Sequence, residues 1–196
     1  MPNFFKKLAN NTSNLFKKAG TGADNLFKKA TSDITKTAQT VSSGIVNTAN
    51  KAGSGITNAA NTVAGGITQG GNAIAGVGNK VGNFLEKNSA VLGDVGAGLA
   101  TLAGQPELAT MAYEAGQSGQ RAGQAVKQGS QQAKAMSGNI SNRITSGANQ
   151  AVSQLASQSN NVANQISNTS NSLINKANGV RNNINAQGSV IQNRCS

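Results

Sequence analysis

The stretch that decides the fold reads SSGIVNTANKA (42–52), GSGITNAANTV (53–63) and AGGITQGGNAI (64–74). In these three consecutive elevens Ile45, Ile56 and Ile67 hold the fourth place, Ala49, Ala60 and Gly71 the eighth, and Ala52, Val63 and Ile74 the eleventh. Apolar residues step by four, three and four, a mean of about 3.67 residues, close to the α-helical 3.6, so one stripe stays almost straight along a helix. A strand would need a period of two, which the pattern does not supply.

The same frame runs outward from Ala9 to Leu85. Its fourth place reads Thr12, Ala23, Ile34, Ile45, Ile56, Ile67, Gly78, and its eighth Phe16, Phe27, Ala38, Ala49, Ala60, Gly71, Gly82. The eleventh reads Ala19, Ala30, Val41, Ala52, Val63, Ile74, Leu85. Asn3 to Leu8, NFFKKL, is a truncated copy that sets Phe5 eleven residues before Phe16. A second array occupies the other end: Ile140, Ala151, Val162, Leu173 and Ile184 are spaced by elevens, as are Ile144, Leu155, Ile166, Ala177 and Gly188. A third row, Ala148, Ser159, Ser170 and Arg181, grows more polar toward the C-terminus.

Between the arrays, residues 86–137 leave the frame. Ser89 to Ala103 is the most apolar stretch, and Gly104-Gln105-Pro106-Glu107 reads as a helix stop and restart. Glycine suits the C-terminal cap, proline the first turn, and an acid the new N-terminus. The sequence thus predicts a helical hairpin packed through Gly93, Gly96, Ala97 and Ala100 against Ala109, Ala112 and Gly116, with Pro106 at the bend. The fold class expected is all-α and elongated. An N-terminal helical array spans 1–85, a central small-residue αα-hairpin 86–137, and a C-terminal array with a frayed tail 138–196.

Composition says how such helices are stabilised. The chain has 24 Gly, no Trp or His, and only 3% aromatic residues in 196. Aromatic side chains dominate the energetics of ordinary cores, so a thick single core is not expected. Each interior Gly disfavours a helix by about 0.8–1 kcal/mol relative to Ala, and Asn, Ser and Thr by several tenths. The arrays are therefore read as conditional helices, partly disordered in isolation and ordered by contact with a larger partner.

Charge narrows the partner without choosing it. There are 17 Lys/Arg against 6 Asp/Glu, and no acid follows Glu114. Such a surface favours an acidic protein wall, anionic lipid or nucleic acid. The sharpest local motif is the Lys–Phe unit, Asn14–Ala19 and Asn25–Ala30 with its copy at Asn3–Leu8. Phe beside paired Lys suits an interfacial helix whose Lys stems snorkel to headgroups, and equally suits Phe residues plugging pockets of a protein lattice. The candidate contact residues are Phe4, Phe5, Phe16, Phe27, Ile34, Ile45, Ile56 and Ile67, with Lys6, Lys7, Lys17, Lys18, Lys28 and Lys29 as basic contacts. Direct nucleic-acid reading is less favoured, since there are few aromatics for stacking.

Other chemistries lack their residues. With no His, one Cys at position 195 and six scattered acids, no base–nucleophile pair, metal cluster or cofactor site is available, and no enzyme is expected. The Gly-rich strings lack the Gly-Lys-Ser/Thr ending of a phosphate loop. No apolar run reaches the roughly 18–20 residues of a spanning helix, and Lys-rich interruptions argue against a secretory signal.

The eleven-residue stripe resembles that of synucleins, perilipins, exchangeable apolipoproteins and late-embryogenesis desiccation proteins, from which this chain departs in its scarcity of acids. The hairpin LGDVGAGLATLAGQPELATMA (92–112) resembles small-residue hairpins of minor virion proteins of large icosahedral DNA viruses. That resemblance implies a minor capsid, cement or spacer protein on the inner side of the shell, with capsid subunits as its partners. A membrane-surface coat is the alternative, and a genome-associated virion protein a further one.

Overall fold

The structure, a computed structural model, describes residues 2–194, and the side chains of residues 11, 14, 15 and 17–190. Two helices account for it: α1, Pro2–Leu102, and α2, Pro106–Arg194. Neither is interrupted near 85 or 137, so the repeats and the small-residue segment share the same two helices. The all-α class follows directly, and among the described residues there is no strand.

The chain reverses at Ala103–Gln105. Gly104 takes φ +71°, and its N–H donates to Thr101 O at 3.1 Å while Gln105 N–H donates to Ala100 O at 2.9 Å. This pair of bonds ends α1 by satisfying two carbonyls that the helix itself leaves open, and the left-handed conformation it needs is inexpensive only for glycine. Pro106 then opens α2, where its missing N–H is no loss, and Glu107 lies in the positive first turn.

The chain forms two units. Unit 2, residues 54–152, is an antiparallel pair built around this turn. Its buried positions on α1 are Ala60, Ala64, Gly71, Ala75, Gly78, Gly82 and Gly93, and on α2 Gly116, Gly123, Ser130 and Ser141. Nearly all are residues with one side-chain heavy atom beyond Cα or none, so the helices approach backbone to backbone. A Cβ placed on Gly93 would lie 2.9 Å from Gly116 Cα, and one on Gly82 would lie 2.7 Å from Gly123 O. One on Gly78 would overlap Ser130, and one on Gly119 would overlap Ser89.

Serine fits this seam because its hydroxyl finds a carbonyl nearby. Ser141 Oγ donates across the seam to Ala64 O at 2.5 Å and lies 2.9 Å from Thr68 Oγ1. Ser130 and Ser137 bond back to Lys127 O and Ala133 O of their own helix. At the edge of the seam Lys127 Nζ reaches Glu86 Oε2 at 2.5 Å, and Gln131 Nε2 donates to Asn79 Oδ1 at 3.2 Å.

Unit 1, residues 1–53 with 153–196, pairs the other halves of the two helices, again antiparallel. Ala49 and Gly53 on α1 and Ser159 and Ser170 on α2 are its buried residues. Ser42 Oγ donates to Ala163 O at 3.3 Å. Asp24 joins the helices: Lys28 Nζ is 2.8 Å from its Oδ2 and Arg181 Nε 3.6 Å from its Oδ1. That contact gives the polar end of the third C-terminal row a physical role.

The seam takes only some of the rows the sequence marks as apolar. From Gly20 to Gly82 on α1 the inward places are the first, fourth and eighth of the elevens, Ile56 excepted, for example Ala64, Ile67 and Gly71 in unit 2. The eleventh place is exposed at Ala30, Val41, Ala52, Val63 and Ile74. On α2 the Ile144 and Ala148 rows turn inward, joined by Ser130, Ser141, Val152, Ala163 and Ile174, while Ile140, Ala151, Val162, Leu173 and Ile184 are all exposed. The buried places take only Gly, Ala and Ser, while larger inward residues such as Ile45, Ile67, Ile144 and Leu155 stay half-buried. No described side chain is fully buried, and the buried hydrophobic residues are all alanines.

Candidate interaction surface

The flanking rows leave aliphatic side chains uncovered. In unit 1 they meet in one groove of about 610 Å³, where Ile34, Ala38 and Val41 of α1 face Val162, Ile166 and Leu173 of α2. Val41, Val162 and Leu173 are 44%, 43% and 48% exposed. Farther along the same helix pair a second hollow of about 600 Å³ takes Ala19 and Ile184, the same two rows two repeats and one repeat away. Because each row repeats every eleven residues, its members stay on one side of the pair. Lys17 stands at the rim of the second hollow and Asp33 at the rim of the first.

Unit 2 carries a different recess. About 460 Å³ in volume, it is lined by Gly93 and Gly116 at the floor and by Asp94, Tyr113, Gln117, Gln120, Arg121 and Gln124 around it. It is a polar cleft beside the point of closest helix approach. In the same unit Val63, Ile74, Val77 and Val81 are exposed.

The residues singled out from the sequence fall into three groups. Lys17, Lys18, Lys28 and Lys29 are exposed, as a contact role requires. Lys28 is also committed to Asp24, whose carboxyl is held below its ordinary pKa first by that hydrogen bond and then by the charges of Lys28 and Arg181. Phe27, Ile34 and Ile45 in unit 1 and Ile67 in unit 2 are half-buried between the two helices, and Ile56 is exposed. The isoleucine row therefore serves mainly the hairpin itself, with Ile34 reaching the groove. The side chains of Phe4, Phe5, Lys6, Lys7 and Phe16 lie outside those described.

Of the hairpin residues, Gly93 is buried against Gly116, Gly96 faces Ala112, and Ala97, Ala100 and Ala109 are half-buried. Pro106 is exposed and acts through the turn. Sequence reasoning missed the glycine and serine seam of 71–82 with 123–141. The signal was present in the register of Gly71 and Gly82 with Ser130 and Ser141, but an apolarity pattern does not score Gly and Ser as buried.

Among the described residues no group of three or more His, Cys, Asp or Glu is placed to hold a metal ion. Among them, too, no helix is long and apolar enough to cross a membrane. No family model matches the chain, and no curated protein matches it.

Proposed function

We propose that this chain is a non-enzymatic structural protein, a minor capsid, cement or spacer protein that orders against capsid subunits on the inner face of a virion shell. The observation that carries the structural role is the uncovered surface. The accessible area is 13640 Å², against about 8,600 Å² for a compact chain of 19.7 kDa. A hairpin sealed by Gly, Ala and Ser contributes little hydrophobic stabilisation of its own, because burial yields only about 25 cal/mol per Å² of apolar area. Partner contact along the flanking rows supplies what the seam lacks. The virion setting rests on the resemblance of residues 92–112.

A membrane-surface coat is the second reading, favoured by one observation. Leu15 and Leu26 are 68% and 71% exposed beside the exposed pairs Lys17–Lys18 and Lys28–Lys29. Apolar residues flanked by snorkelling lysines suit anionic lipid.

Circular dichroism separates the two. The protein is measured alone, with purified capsid subunits, and with anionic vesicles at low and high salt. The capsid reading expects helicity to rise with subunits and to be indifferent to vesicles. Helicity that rises only with vesicles, is lost at high salt and is abolished by Leu15→Ser with Leu26→Ser would sink it in favour of the membrane coat.

A further inference from the structure

The α1 helix of unit 2 carries on its exposed side a pattern that the seam does not use. From Ile74 to Leu102 one face recurs at alternating steps of three and four residues. That is the 3.5-residue spacing of a coiled coil, distinct from the eleven-residue spacing of the arrays. Ile74, Val81, Asn88, Val95 and Leu102 form one row of the heptad, and Val77, Phe84, Val91 and Gly98 the other. All nine are exposed, the seven apolar ones by 44–87%. Gly78, Gly82 and Gly93, which meet α2, belong to neither row. Apolar heptads sustained over this length, with Lys80, Lys87 and Asp94 beside them, are what a helix needs to wrap around another helix.

Asn88 chooses the occupant. It stands midway along the stripe, where lipid or an apolar helix would leave its amide buried without a partner, at a cost of about 1–3 kcal/mol. One N–H of its Nδ2 donates to Phe84 O at 2.8 Å, which leaves the second N–H and Oδ1 to meet a partner. A second copy in parallel register sets Asn88 against Asn88, so an N–H of one amide meets Oδ1 of the other. An antiparallel copy sets each row against the other row, and Asn88 would then face Val77, Phe84, Val91 or Gly98, none with a polar side chain. A lone Asn among the β-branched Ile74, Val81 and Val95 is also the device that fixes register and strand number.

We propose that α1 of unit 2 pairs with α1 of a second copy as a parallel two-stranded coiled coil over residues 74–102, with Asn88 facing Asn88 across a twofold axis. In this register Lys80 and Lys87 lie over Leu85 and Leu92 of the other copy, where their stems cover apolar surface and no like charges meet. Area is sufficient. The seven apolar residues with Leu92 and Leu99 offer about 500 Å² per copy, or about 1,000 Å² over the pair, which is what a specific interface requires. The pairing concerns the purified chain alone and does not rest on the virion reading.

Sedimentation equilibrium of the full chain at micromolar concentration tests the pairing, and a single introduced thiol tests its register. The wild type should run at twice 19.7 kDa. Val81→Glu with Val95→Glu should weaken association by about 100-fold or more, since each charge would be buried against its own copy. Asn88→Val should tighten association about tenfold and admit masses above the dimer, because the amide specifies strand number at a cost in stability. Gly98→Cys, in a Cys195→Ser chain, stands where an added Cβ meets nothing within the protomer. In a glutathione buffer it should form an intermolecular disulfide, since a parallel pair brings like places within reach of one another.

A wild-type chain at the monomer mass overturns the proposal, as does a dimer indifferent to the two glutamates. A dimer in which Gly98→Cys stays unlinked overturns it as well, because an antiparallel pair sets residue 98 near the far end of the other stripe. That result stands whatever the glutamates do to the helices themselves. A monomer that floats with anionic vesicles until the glutamates are introduced overturns it in favour of a lipid-facing stripe.

Discussion

Replacing Gly93 by Ala tests whether the seam is set by backbone contact. In an open helical site Gly→Ala stabilises by about 0.8–1 kcal/mol, through helix propensity alone. Gly66 is such a site, with nothing within 4 Å of its added Cβ. At Gly93 the same methyl lies 2.9 Å from Gly116 Cα and 3.2 Å from Ala112 O. Carbon atoms rest at about 3.5–4.0 Å, so the helices must part by several tenths of an ångström or more. Overpacking of this kind costs about 1–3 kcal/mol, and parting the helices also loosens the neighbouring Gly82–Gly123 contact. Against the propensity gain, Gly93→Ala should destabilise by up to about 2 kcal/mol, some 1–3 kcal/mol away from Gly66→Ala.

Urea unfolding followed by circular dichroism at 222 nm, at one fixed protein concentration, reads the difference as opposite shifts in midpoint. Gly116→Ala should behave like Gly93→Ala, since its Cβ would lie 2.8 Å from Ser89 O. The double variant should fall short of additivity, because the helices separate only once. A Gly93→Ala protein as stable as Gly66→Ala would refute the close seam.

Three further outcomes follow from named contacts. Ser141→Ala removes the hydroxyl that donates to Ala64 O across unit 2 and should lower stability by about 0.5–1.5 kcal/mol by the same urea assay, whereas Ser146→Ala on an exposed face should not. Gly104→Ala places a side chain at φ +71° and should destabilise by about 1–2 kcal/mol, with Gly104→Asn recovering part of it. Asp24 has a folded-state pKa below its ordinary 3.8, so its contribution is present above that value and is lost as pH falls through the lower folded pKa. Wild-type helicity should therefore fall more steeply below about pH 4 than that of Asp24→Asn, and the two should run parallel above it.

Much of the fold could be read from local chemistry. The eleven-residue spacing specifies helices because it matches the helical turn. Gly104-Gln105-Pro106 specifies a reversal because only glycine takes the left-handed cap without penalty and proline belongs to a first turn. The scarcity of aromatic residues, with no Trp at all, signals that no thick core is built.

What the spacing could not say is which rows of a wide apolar stripe face inward. Ile45, Ala49 and Ala52 in one eleven are almost equally good candidates by periodicity, yet Ala49 is buried, Ile45 half-buried and Ala52 exposed. The deciding quantity is the distance between helix backbones, a property of the pair and not of either segment. Where Gly93 meets Gly116 and Gly82 meets Gly123 in unit 2, even an added Cβ would force the helices apart. In unit 1, taken by itself, Ala49, Ser159 and Ser170 are buried while Val41, Val162 and Leu173 are exposed and line the groove. The sequence by itself determined helices, their turn and the want of a core; only tertiary packing decided which places are buried, because close backbone approach leaves volume there for Gly, Ala and Ser alone.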